Sequence, residues 1–193
     1  MEEKMCKKSL GIDLDSTLNC LDERWIIERY NTIYNDNLTR EDMIHWNVET
    51  YVKQECGKKI YDILFEPNFF RTLDIQPCSQ EVTKWLSEYF DLYIVTAYSP
   101  STCVDKAGWI EEYFSHIPVK NIIFCNHKGL IHTDILIDDG GHNIIDYHNA
   151  NKSGLPIIFD APWNRYLENQ FIREYDWLGI KEIIKELLIS NYI

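Results

Sequence analysis

Five short apolar runs, each leading to a polar residue suited to chemistry, constrain this chain more than any other feature. Ser9-Leu10-Gly11-Ile12 ends at Asp13, Leu92-Tyr93-Ile94-Val95 at Thr96, and Ile135-Leu136-Ile137 at Asp138 and Asp139. Asn121-Ile122-Ile123-Phe124-Cys125 leads to Lys128, and Leu155-Pro156-Ile157-Ile158-Phe159 to Asp160. Runs this short and this continuously apolar fit strands buried on both faces of a parallel sheet. Helical periodicity separates them: Val82, Trp85, Leu86 and Tyr89 follow Ser79 as an N-cap, and Ile180, Ile183, Ile184, Leu187 and Leu188 close the chain. The alternation predicts an α/β fold, a Rossmann-like parallel sheet flanked by helices. In such sheets the ligand crevice lies outside the carboxyl ends of the strands, so Asp13, Thr96, Lys128 and Asp138-Asp139 share one rim.

The first two runs are much further apart than a crossover of a dozen or so residues requires, so the chain must carry an insertion between them. Its pattern is helical: Ile26, Tyr30, Ile33 and Tyr34 share a face, Thr39 with Asp42 resembles a capping box, and Ile60, Ile63 and Leu64 recur. Pro67, Asn68 and Pro77 mark the return. The expected organisation is an α/β core domain of residues 1–18 and 77–193 and a small helical cap domain of residues 19–76. At 193 residues the chain has room for one core with such an insertion.

A formal net charge of −12 argues against nucleic-acid polymers and anionic membrane surfaces as partners, because both are bound through excess Lys and Arg. A small anionic substrate needs local cations to overcome that field. The N-terminal residues Met1 to Lys8 have no apolar stretch of signal-peptide length, and no run is long enough to span a bilayer, so a soluble, cytoplasmic protein is expected. The six cysteines are scattered without a C-x-x-C pair, as reduced thiols would be.

Asp13-Leu14-Asp15-Ser16-Thr17 carries the strongest chemical signal. In extended chain, side chains at i and i+2 share a face, so the two carboxylates can converge while Leu14 turns into the core. Such a pair suits a nucleophile, a partner acid/base, or the seat of a hard divalent cation; solvated acids on a surface turn are the competing reading. With Thr96, a lysine and Asp138-Asp139 downstream, the chain resembles the haloacid dehalogenase superfamily of phosphohydrolases over essentially its whole length. More narrowly it resembles the 5'(3')-deoxyribonucleotidase family, through Glu41-Asp42-Met43-Ile44-His45-Trp46-Asn47, Leu136-Ile137-Asp138-Asp139 and Phe159-Asp160-Ala161-Pro162-Trp163-Asn164.

The resemblance implies a Mg²⁺-dependent phosphomonoesterase acting on nucleoside monophosphates through an aspartyl phosphate. Asp13 would be the nucleophile and Asp15 the acid/base. Mg²⁺ would be held by Asp13, the Asp15 main-chain carbonyl and Asp138, with Asp139 orienting metal-bound water. Thr96, the Ala97 amide near a helix start, and Lys128 would bind phosphate. Ala97 stands where the family carries a hydroxyl, and Lys120 is the competing lysine, at the wrong end of its strand. Trp46 is either a wall for the substrate base or part of the cap core. His127, His132, His142 and His148 read as loop residues without zinc-site spacing. Two other readings stay open: a phosphatase for a sugar phosphate or other small phosphoester, and a non-catalytic phosphoacceptor or metal-binding module. The oligomeric state is open, a homodimer included.

Overall fold

The computed structural model describes residues 7–190, in which β1 (Lys8–Ile12) runs through the middle of a six-stranded sheet. The other strands are β2 (Phe90–Thr96), β3 (Ile122–Phe124), β4 (Ile135–Asp138), β5 (Leu155–Phe159) and β6 (Ile172–Glu174). All pairings are parallel, in the order β3-β2-β1-β4-β5-β6. Winding therefore reverses between β1 and β4, and the crevice at that reversal is where a sheet of this order receives ligands. β4 is buried at every residue, as its unbroken Ile-Leu-Ile run demands. β6 was not foreseen: it is only three residues long, two of them Arg173 and Glu174, and pairs at the edge.

Helices α2 (Ser79–Leu86), α3 (Cys103–Tyr113), α4 (Gly141–Ala150) and α5 (Trp177–Ile189) connect or follow the strands. Three local expectations are corrected. Ser79 is the first residue of α2 and its hydroxyl is buried without a partner, because Cys78 takes the cap position in left-handed conformation. Tyr89 lies beyond the end of α2 and is exposed. His142 and His148 lie in α4, not in loops.

Between β1 and β2 the chain forms the helical insertion. It opens with a π-helical stretch, Glu23–Tyr30, continued by α1 (Asn31–Tyr34). The Asn31 amide reaches back to the carbonyl of Ile26, and this wider turn changes the phase of the helix. Trp25, Ile26 and Tyr30 are buried as a result, whereas Ile33, expected on the same face, is exposed. Short 3₁₀ turns follow. One starts at Thr39, whose amide and hydroxyl both donate to the Asp42 carboxylate at 2.8 and 2.6 Å. Another, Gly57–Phe65, buries Ile60 and Ile63 against Trp25, whose indole N–H donates to the Ile60 carbonyl at 2.8 Å.

The two ends of the insertion meet in a neck. Cys20 donates to Asp74 and Gln76 to Leu18, each at 2.9 Å, flanking an antiparallel bridge between Asn19 and Ile75. A polar clasp joins it to the core farther out. Arg40 pairs with Asp22 at 2.7 Å and reaches the Asp160 carbonyl, and Arg165 binds both Glu41 and Asp160, at 2.6 and 3.1 Å. No disulfide joins the five cysteines among the described residues; Cys6 and the rest of residues 1–6 lie outside them. No helix among the described residues is long and apolar enough to cross a membrane.

Candidate active site

β1 and β4 end side by side, which delivers Asp13, Asp138 and Asp139 to one point; one carboxylate oxygen from each lies within 4.8 Å of the others. All three are almost fully buried. Lys128, itself buried, is inserted among them from a 3₁₀ turn after β3: its ammonium donates to Asp13 and, at 2.6 Å, to Asp138. Burial raises the Asp13 carboxyl to about 7; Lys128 opposes this and Asp138 adds to it. Asp139 is raised well above the usual carboxylate range by burial, then by Asp13 and Asp138. For Lys128, burial alone would lower the ammonium, but Asp13 and Asp138 outweigh it and raise it. Three packed carboxylates against one ammonium leave uncompensated negative charge at the point where oxygen ligands converge. That donor set fits a hard cation, and the cluster could hold one.

The remaining contacts fix the orientation of these acids. The Gly140 amide and the Asn143 side chain donate to one oxygen of Asp138 at 2.8 and 3.0 Å. Trp163 donates its indole N–H to Asp139 at 3.0 Å, and Asn164 holds the carbonyls of Asp139 and Phe159, both at 2.8 Å. The Pro162-Trp163-Asn164 segment after β5 thus supports the acidic pair across the reversal point.

The loop after β1 turns through Ser16, which adopts left-handed φ of 59°. A non-glycine residue there is costly, and the buried Asn19 offsets the cost by accepting from the amides of Ser16 and Leu21 at 3.0 and 3.2 Å. The same Asn19 donates to Asp15 at 3.2 Å. Leu14 is buried, and Asp13 and Asp15 both face one cavity. Asp15 takes a different lysine, Lys106 of α3, whose ammonium also donates to the Thr96 hydroxyl at 3.0 Å. Neither Lys106 nor Asn19 was singled out from the sequence. For Lys106 the available signal was a cation in register with Trp109 and Ile110, on the buried face of α3.

The cavity encloses about 600 Å³, within the range for small-molecule sites. Asp13, Asp15, Lys128 and Asp139 line its core side, and the insertion lines the other with Leu21, Trp25, Ile26, Met43, Trp46, Val48, Tyr51 and Tyr61. Thr96 and Asp138 are fully buried behind this lining. Ala97 reaches the cavity, but α3 begins only at Cys103, so its amide is not at a helix start. Lys120 is exposed, just before β3, at the opposite end of that strand from Lys128. Trp46 is 55% exposed, so it is no part of the insertion's buried core. Its ring packs edge-on against His142 of α4, 4.5 Å between centroids, and lies 6.5 Å from Trp163. Burial lowers His142, which favours the neutral ring.

Residues 7–190 match the model of the family described as "5' nucleotidase, deoxy (Pyrimidine), cytosolic type C protein". The chain is similar to the 5'(3')-deoxyribonucleotidase of Clostridium acetobutylicum, 49% identical over 183 residues covering 95% of this chain and 98% of that protein. It is similar also to the 5'(3')-deoxyribonucleotidase of Bacillus subtilis, 36% identical and covering 94% and 99%. Among solved structures, a haloacid dehalogenase-like protein of unknown function from Agrobacterium tumefaciens has the same fold, with a TM-score of 0.62 at 12% identity and coverage of 94% and 99%.

Proposed function

Because the chain belongs to the cytosolic type C deoxy-5'-nucleotidase family, a branch of the haloacid dehalogenase phosphohydrolases, we propose that it removes phosphate from deoxyribonucleoside monophosphates through a covalent aspartyl phosphate. One observation carries this reading. Two neighbouring carboxylates, Asp13 and Asp15, face the same cavity but are held by two different buried lysines. Groups of one kind in two environments can divide nucleophile and proton carrier between them.

In the first step a carboxylate oxygen of Asp13 bonds to phosphorus as the bond to the nucleoside oxygen breaks, and that oxygen takes a proton from Asp15. In the second, Asp15 accepts a proton from water, whose oxygen bonds to phosphorus. The acyl phosphate then breaks, releasing inorganic phosphate and restoring the Asp13 carboxylate. Lys128 stabilises charge moving between Asp13 and the phosphoryl group, in a site where burial strengthens the interaction. The hydroxyl of Thr96 and the amide of Ala97 are assigned to phosphate. Asp13, Asp138 and the Asp15 carbonyl are assigned to Mg²⁺, and Asp139 to the water around it. Bound there, Mg²⁺ supplies positive charge to a dianionic substrate that a protein of net charge −12 otherwise repels.

Residues 19–76 act as the cap domain and select the nucleoside, since the core groups reach only phosphate and metal. Release of inorganic phosphate from a panel of deoxyribonucleotides, ribonucleotides and sugar phosphates tests the whole reading. Deoxyribonucleotides are expected to be best, chelator to reduce turnover to background, and Mg²⁺ to restore it. Equal rates on sugar phosphates, or full activity in chelator, count against it.

Trp46 is assigned to the base. Its exposure makes Trp46→Ala benign for folding, so its effect falls on the ligand. Loss of stacking should lower kcat/KM for a mononucleotide by about 1–3 kcal/mol and leave p-nitrophenyl phosphate nearly untouched. An unchanged ratio of the two would remove Trp46 from base recognition.

A further inference from the structure

The reaction scheme leaves Lys106 without a task. It is a lysine with only 5% of its side chain exposed, ion-paired beside the site on a helix that offers an apolar residue's environment. Buried ion pairs are weak contributors to stability, and apolar replacements often serve a fold as well. Its geometry, however, is specific. The three N–H donors of the ammonium match three acceptors: the Asp15 carboxylate, the Thr96 hydroxyl at 3.0 Å and the Ala97 carbonyl at 3.4 Å. The ammonium also lies 4.7 Å from the ring centroid of Phe70, in the chain segment returning from the insertion. α3 is pinned to that same segment. Trp109 donates to the Leu73 carbonyl at 2.8 Å, and the Arg71 guanidinium packs so closely on Gly108 that a Cβ there would come within 2.1 Å of it. Asn19 donates to the other oxygen of Asp15, so the carboxylate is held from both sides.

We propose that Lys106 is a positioning residue for proton transfer: it ties Asp15 to Thr96 and so fixes the proton carrier on the leaving-group side of the phosphate. This rests on the assignment of Asp15 as acid/base. When Asp15 gives its proton to the departing nucleoside oxygen, the negative charge that appears on it meets an ammonium already in place.

The experiment compares two leaving groups. An alkoxide must be protonated as it departs, whereas p-nitrophenolate departs as a stabilised anion. Since kcat/KM reports steps up to phosphoryl transfer to Asp13, it isolates the acid step. With deoxythymidine 5'-monophosphate and p-nitrophenyl phosphate as probes, Lys106→Met should lose at least about tenfold more kcat/KM on the nucleotide than on the aryl ester. Asp15→Asn should show the same bias, and the double variant should be no worse than Asp15→Asn alone. Lys106→Gln, which keeps a donor for Thr96 but no charge, should show the bias more weakly and covers the case in which the methionine variant does not fold. Equal losses on both probes in the lysine variants, beside a biased Asp15→Asn, overturn the proposal. An unbiased Asp15→Asn instead overturns the assignment of Asp15 itself, and the role of Lys106 with it.

Discussion

Asp13→Asn should fold normally and lose at least about 1,000-fold in turnover, some 4 kcal/mol of barrier. An amide neither attacks phosphorus effectively nor ligates a hard cation well. Folding should not suffer, for a reason visible in the electrostatics. Burial raises the Asp13 carboxyl to about 7, above its value in the unfolded chain, so ionising it costs the native state stability as pH rises through that range. Asparagine carries no such cost. In the absence of metal the variant's thermal midpoint at pH 8 should equal or exceed that of the parent protein. Parallel measurement of phosphate release and thermal unfolding checks both halves. A loss of less than about tenfold, only ~1.4 kcal/mol, would contradict covalent participation.

Lys128→Met should fail on both counts. Among the described residues, the ammonium is the one cation donating to both Asp13 and Asp138, and its removal strands buried carboxylates without a counter-charge. Breaking such a pair from one side costs about 3–5 kcal/mol, against which proton uptake or metal binding works. Turnover should drop by about 100- to 1,000-fold even where added Mg²⁺ restores the fold. Lys120→Met is the matched control: that side chain is exposed at the far end of β3 and its loss should change nothing. Thermal unfolding with and without Mg²⁺, alongside phosphate release, separates the structural loss from the catalytic one. If Lys120→Met is the inactive variant, the charge compensation has been assigned to the wrong lysine.

Five of the six strands were legible because a strand inside a parallel sheet writes itself as a short apolar run, and the acids at their ends follow from the sheet alone. Asp13, Thr96, Lys128 and Asp138-Asp139 therefore fall where the sequence places them. Signals with a different origin were lost. The π-helical turn through Glu23–Tyr30 exposes Ile33, and a 3.6-residue period has no way to register it. Lys106 sits inside an amphipathic helix pattern in which a single charged position looks like an imperfection. Asn19 matters through a backbone conformation at Ser16 that residue types alone do not announce. His142 meets Trp46 only because the insertion folds back over α4, a contact between residues far apart in the chain.

The neck between Leu18–Cys20 and Asp74–Gln76 bears on how the molecule assembles. β1 and β2 are neighbours in the sheet, yet the whole insertion must be looped out before Lys8 can pair with Phe90. If the insertion gathers first around Trp25 and Ile60, its ends are already joined and the remaining loop is cut by roughly two halvings, which relieves about 1.2 kcal/mol of closure entropy. The element that lines the outer side of the cavity would then also hasten the pairing of the two central strands, and variants that loosen its interior would show slowed refolding before they show altered specificity.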